Sequence, residues 1–168
     1  STESDKPSIL FKTAAEAPNT TITENKTLYA VFATESTTGS GSAGWGKVTS
    51  TADLKAGDIY AISSDATGGT YLSTYAGGNN YPASSTTICK LELGGSSGAW
   101  TFKIADGSTY NSYYLTATNT TEKNYLKAVS TADNYCKFSI SFSSNAAVIT
   151  CTGKNSRNIL RYNGNNNP

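Results

Sequence analysis

Three short segments restrict the fold more than anything else in the chain: Cys89-Lys-Leu-Glu-Leu93, Trp100-Thr-Phe-Lys-Ile104 and Cys136-Lys-Phe-Ser-Ile-Ser-Phe142. Each puts an apolar side chain at every second position. Successive side chains of a strand point to opposite faces, so this alternation suits a strand with one face in a core and the other in water. A helix could not gather the same residues on one side. The surrounding sequence agrees, being rich in Thr, Tyr, Ile and Val, which fit a pleated surface, and poor in helix formers, with no Met. The chain is expected to be all-β.

The strands recur. In order they are Ile59–Ile62, Thr70–Thr74, Tyr81–Ser84 and Cys89–Leu93, then Trp100–Ile104, Tyr113–Thr118, Asn124–Val129 and Cys136–Phe142, then Ala147–Cys151 and Asn158–Tyr162. First strands begin at 59, 100 and 147, a spacing of about 41 to 47 residues. Four short strands per unit at such a period is a repeat signature. Phrases recur too: Tyr71-Leu72, Tyr114-Leu115, Tyr125-Leu126 and Ile159-Leu160 mark Leu72, Leu115, Leu126 and Leu160 as expected core residues. Ser-Thr-Ala-Asp occurs at 50–53 and 130–133. At the first site it has the spacing of a helix N-cap with an acidic third residue, and Gly57 is placed to end a single turn. Propeller blades share this period but need more units than the chain holds. Three four-strand units suit a β-trefoil-like repeat barrel, and the Trp-x-Phe…Tyr-Leu order resembles trefoil units of the ricin-B and fascin type. The third unit is incomplete at Pro168; either its closing strands follow Pro168 or strands of the N-terminal segment replace them. Another closed β-barrel or a β-sandwich is the alternative.

Composition bounds the partners. Charged residues make up only 15% and the net charge is +1, while Ser, Thr, Asn and Gly fill nearly half of the chain. No long-range field steers it to nucleic acid or an anionic surface, so neither is an expected partner. No apolar run approaches the ~20 residues needed to span a bilayer, so no membrane insertion is expected. With 37% hydrophobic residues the chain can still bury a core.

The chain divides at Glu35-Ser-Thr-Thr-Gly-Ser-Gly-Ser-Ala-Gly44, which gives a β segment at 1–35, a Gly/Ser linker at 36–44 and the repeat domain at 45–168. Ser8–Lys12 and Thr27–Ala33 read as strands about turn material at Glu16–Asn19. Two strands alone are marginal in water, so the segment should dock on the main domain or be the remnant of a module. The phrase TITENKTLYAVFA, residues 21–33, resembles the closing strand of the internalin-type (Listeria–Bacteroides) β-grasp repeat of bacterial surface proteins. Trp45-x-Lys-Val-Thr-Ser-x-x-Asp-Leu-Lys-Ala-Gly-Asp58 and Ser156-Arg-Asn-Ile-Leu-Arg-Tyr-Asn163 resemble a domain of secreted and surface proteins of gut Bacteroidetes. Those domains accompany adhesins, glycan-acting enzymes and extracellular nucleases. They end in a further strand pair, which this sequence lacks. The resemblance implies an extracellular or cell-surface location and a modular role.

Candidate chemistry is sparse. There is no histidine, which removes His-based triads, Cys-His pairs and His zinc sites. Cys89, Cys136 and Cys151 have no ligand spacing and alternate with the core positions, so they read as buried small hydrophobes. A Cys136–Cys151 disulfide stays open, since both lie on one face of strands joined by a short turn; with a two-residue turn they are diagonal neighbours, a poor geometry. The acidic residues Asp53, Asp58, Asp65, Glu92, Asp106, Glu122 and Asp133 mostly sit among turn residues, where Asp caps and turns the chain. Gly68-Gly69 and Gly94-Gly95 read as turns. No catalytic residue, metal ligand or cofactor is therefore assigned.

What remains is binding. Tyr75, Tyr81, Tyr110 and Tyr113 fall in loops, flanked by Asn79, Asn80 and Asn111. Stacking rings beside planar amides make shallow sugar sites; the plainer reading is amphipathic packing of Tyr at strand ends. The expectation is a monomeric, non-catalytic extracellular binding or adhesion module, with a glycan or another surface protein as partner. The alternatives are an accessory domain of a secreted glycosidase or nuclease, and a carboxylate-based glycosidase in its own right.

Overall fold

The computed structural model describes residues 31–35, 45–64, 70–119, 124–144 and 146–162. The expected strand at Ser8–Lys12, the turn at Glu16–Asn19, the linker, Asp65, Gly68-Gly69 and Glu122 lie outside the described residues.

The fold is all-β. Its strands are β1 (Val31–Glu35), β2 (Trp45–Val48), β3 (Ile59–Ser63), β4 (Tyr71–Leu72), β5 (Ala83–Ser84), β6 (Leu91–Gly94), β7 (Thr101–Ile104), β8 (Tyr114–Thr116), β9 (Lys127–Val129), β10 (Phe138–Ser143) and β11 (Ala146–Cys151). β3 to β11 fall within or close to the expected segments, but the strand expected at Asn158–Tyr162 does not form; only the isolated Thr150–Ile159 bridge is present there. An antiparallel path β2-β1-β3-β6-β7-β8-β9 curls into a half-barrel, the short strand β4 pairs with β3 and β5 with β4, and β10–β11 form a separate hairpin.

The period of two explains the core. Tyr60 lies opposite Leu91, Leu91 opposite Ile104, and Leu93 opposite Phe102. All of these, with Leu115, are shielded from solvent. The residues between them form a second row on the other face: Ile59 opposite Glu92, Glu92 opposite Lys103, Lys103 opposite Tyr114, Tyr114 opposite Val129. A salt bridge, Lys103 to Glu92 at 3.9 Å, lies on this half-exposed row and contributes little. Phe138, Ile140, Ile149 and Cys151 of the β10–β11 hairpin join the same core, with the Phe102 and Phe138 rings 5.5 Å apart. A reciprocal pair of 2.8 Å backbone hydrogen bonds between Trp100 and Phe138 ties the hairpin to the start of β7. Leu115 and Leu126 are buried as expected, whereas Leu72 and Leu160 are half-buried at the rim of the core.

The first Ser-Thr-Ala-Asp phrase forms the expected turn, as a 3-10 helix at Thr51–Asp53 with the Ser50 hydroxyl accepting from the Ala52 N–H. Gly57 follows at φ +91°. Tyr60 locks this turn to the core. Its hydroxyl accepts from the Lys55 N–H at 2.9 Å and donates to the Asp53 carbonyl at 3.2 Å. The second phrase behaves differently. There Asp133, not Ser130, is the cap, and its carboxylate accepts from the Tyr135 N–H ahead of a 3-10 turn at Asn134–Cys136. Gly153 packs over this turn. A Cβ there would come within 2.4 Å of the Asn134 carbonyl oxygen, so the position admits no side chain.

The three cysteines are buried and free. Phe138 lies opposite Cys151, which leaves Cys136 diagonal to it. The thiols point to different acceptors, Cys136 to the Asp133 carboxylate and Cys151 to the Tyr135 carbonyl, both at 3.4 Å. The Cys136–Cys151 bond is not formed.

Candidate functional site

Two loops build the candidate site: residues 73–82 between β4 and β5, and residues 105–113 between β7 and β8. The second is a chain of local caps. Asp106 Oδ1 accepts from the Ser108 N–H at 3.0 Å, and Asn111 Oδ1 accepts from the Gly107 N–H at 3.0 Å. Such side-chain-to-backbone bonds let Asp and Asn shape a turn. The Ser112 N–H then donates to the Ile104 carbonyl and returns the chain to the sheet.

The four tyrosines singled out in the sequence come together. Tyr75 stacks on Tyr81 at 4.6 Å between ring centres and meets Tyr110 edge-on at 4.7 Å. Tyr110 in turn meets Tyr113 edge-on at 5.4 Å. Edge-to-face and offset pairs are the favoured aromatic arrangements, and each adds roughly 0.5–1.5 kcal/mol beyond area burial. The Tyr75 hydroxyl donates to the Gly78 carbonyl at 2.7 Å, and the Asn79 carbonyl accepts from the Leu126 N–H, so the loop is also held to the start of β9.

Burial divides the cluster. Tyr75 and Tyr81 are 5% and 0% exposed and form its floor. With both faces covered, neither ring can stack on a ligand, which corrects the expectation that all four tyrosines present themselves. Tyr110 and Tyr113 are half-buried, and Asn79, Asn80 and Asn111 are exposed. Burial pushes the Tyr75 and Tyr81 hydroxyls above the ordinary phenol range. Among the described residues the Tyr81 hydroxyl has no hydrogen-bond partner, and neither does Asp106 Oδ2. Burial likewise raises the Cys89 thiol, with the Asp106 carboxylate adding to the effect. A thiol held protonated in this way is a poor nucleophile.

The carboxylates have structural duties. Glu92 faces Lys103, Asp106 caps its loop and Asp133 caps the second turn, while Asp53 serves the first turn through its main-chain carbonyl. Among the described residues no three His, Cys, Asp or Glu side chains gather as a metal site.

One feature lay outside the sequence reading. Ile62, Tyr71, Leu72, Ala83, Leu126 and Leu160 line a mostly apolar cleft of about 40 Å³. That is room for about one water, against the several hundred Å³ of a typical small-molecule pocket. The recurring Tyr-Leu and Ile-Leu phrases were its only signal, and they point to apolar burial rather than to a gap. The chain is similar to no family profile, no curated protein and no solved structure.

Proposed function

We propose that the chain is a non-catalytic binding or adhesion module of the extracellular surface, whose ligand is a glycan bound at the rim of the tyrosine cluster. One observation carries this reading. Two loops far apart in sequence meet through Tyr75, Tyr81 and Tyr110, and around that fixed floor stand the half-buried rings of Tyr110 and Tyr113 and the exposed amides of Asn79, Asn80 and Asn111. Shallow sugar recognition needs a ring face held in place beside amides that both donate and accept hydrogen bonds. The rim supplies both.

The frame we infer is trefoil-like. β3 pairs with β6, β6 with β7 and β10 with β11, and Trp100–Phe138 links β7 to β10. The β4–β5 and β8–β9 pairs are then the hairpins of the first two units, and the Thr150–Ile159 bridge begins the third. In such a frame the strands carry packing and the loops are free to carry recognition.

A glycan array followed by calorimetry tests the reading. Binding of one glycan class that falls at least tenfold in Tyr113→Ala and in the double variant Asn79→Ala/Asn80→Ala, with the thermal midpoint of the double variant little changed, is the expected result. Silence across host and plant glycans overturns it.

A further inference from the structure

We propose that β1 is an exchangeable strand: the position it fills in its own chain can be filled by the same strand of a second copy. β1 precedes β2 in the chain but lies between β2 and β3, with four register pairs on each side. It also lies against β11. It therefore fills the sheet position beside β3, the first strand of the first unit, and also touches β11, the first strand of the third.

This place has to be filled. The edge of β3 that β1 covers carries Tyr60, Ala61, Ile62 and Ser63, all buried. A bare edge of that kind is a template for pairing with other chains. The bonds that fill it come from the main chain, so they do not depend on which molecule supplies the strand.

The connection to β2 is longer than the hairpin requires. Glu35 and Trp45 lie opposite each other, so the chain between them has to cross only about 5 Å. Nine residues join them, Ser36 to Gly44, and nine residues can reach ~30 Å. That length is enough for β1 to pair in its own sheet or to reach across to a neighbour with the same main-chain contacts, the exchange of an identical element that makes a domain swap. The monomer and the swapped dimer then differ chiefly by the entropy of association, so concentration sets the balance.

Two measurements on the full chain test this. First, a specific protease site replaces Thr37–Ser42 and is cut. The N-terminal piece should stay bound and exchange with a labelled synthetic peptide of residues 27–35, while the β3 amides keep their protection from hydrogen exchange. A piece that stays bound but never exchanges, or that leaves with β3 still protected, overturns the proposal. Second, the intact chain at high concentration should give a dimer by light scattering. A variant with Ala33→Cys and Ala61→Cys, two positions that lie opposite each other, should stay monomeric once oxidised as the monomer, because β1 is then tied to its own β3. Equal dimer formation by both chains also overturns it.

Discussion

Tyr60 on the sheet wall and Tyr81 in the loops are both fully shielded from solvent, yet their chemical situations are opposite. Tyr60 uses its hydroxyl twice, as acceptor from Lys55 and donor to Asp53, and so joins a turn to the wall. The Tyr81 hydroxyl meets no partner among the described residues; its ring does the packing, stacked on Tyr75. Tyr60 is thus satisfied in both packing and hydrogen bonding, whereas Tyr81 is satisfied in packing alone, although its stacking partner Tyr75 does reach the Gly78 carbonyl. A buried polar group without a partner costs free energy. Loops that recognise ligands are commonly drawn from the less stable parts of a structure.

The largest effect that sharpens this contrast comes from truncating one aromatic in each region. Phe102→Ala, in the middle of the wall, should cost about 3–5 kcal/mol in chemical unfolding. Tyr110→Ala, at the half-buried rim, should cost about 1–2 kcal/mol, mainly its two edge-on contacts. Equal losses would break the contrast.

Next come the hydroxyls. Tyr60→Phe should destabilise by about 1–2 kcal/mol, since it strands the Lys55 N–H and the Asp53 carbonyl. Tyr81→Phe should be neutral or slightly stabilising. The two variants should also differ in alkali. Burial raises both phenols above the ordinary value of 10.0. Above that pH the unfolded chain releases protons that the folded chain keeps, so stability is complete below about pH 10 and falls as pH rises further. The buried thiols, raised from 9.0, add a loss that begins about a unit lower. Melting curves from pH 7 to 11 should therefore show a falling midpoint, and Tyr81→Phe should flatten the fall. An unchanged slope in that variant would show that Tyr81 titrates as in the unfolded chain.

The smallest effects belong to the two Ser-Thr-Ala-Asp phrases, and they should cross over. Ser50→Ala and Asp133→Ala should each cost about 1 kcal/mol by loss of a cap, while Asp53→Ala and Ser130→Ala should cost only a few tenths. Four matched variants in denaturant decide it.

The crossover shows where sequence reading ran out. Strand alternation is a local property, and Trp100–Ile104 and Cys136–Phe142 therefore announced themselves. Capping depends on which residue precedes the turn in space, so identical letters took different roles at 50–53 and 130–133. The tyrosines gave way for a related reason. An amphipathic ring in a Gly- and Asn-rich loop looks exposed from its neighbours alone, and only the meeting of the 73–82 and 105–113 loops covers Tyr75 and Tyr81. Leu72 and Leu160 shared a phrase with Leu115 and Leu126 but sit at the edge of the core, because a repeat fixes which face a residue points to and not how much lies above it. The cysteines were legible as buried side chains, but only Cys151 lies in a strand; Cys89 precedes β6 and Cys136 ends the second 3-10 turn.

The paired hydrogen bonds between Trp100 and Phe138 have a consequence in time as well as in space. The β6–β7 and β10–β11 pairings join neighbours along the chain and close short loops, whereas this bridge closes over the whole of β8 and β9 and all the turns between them. Loop closure of that length carries an entropic cost that must be met before the contact returns anything. The bridge should therefore form late in folding, after the hairpins that it joins exist.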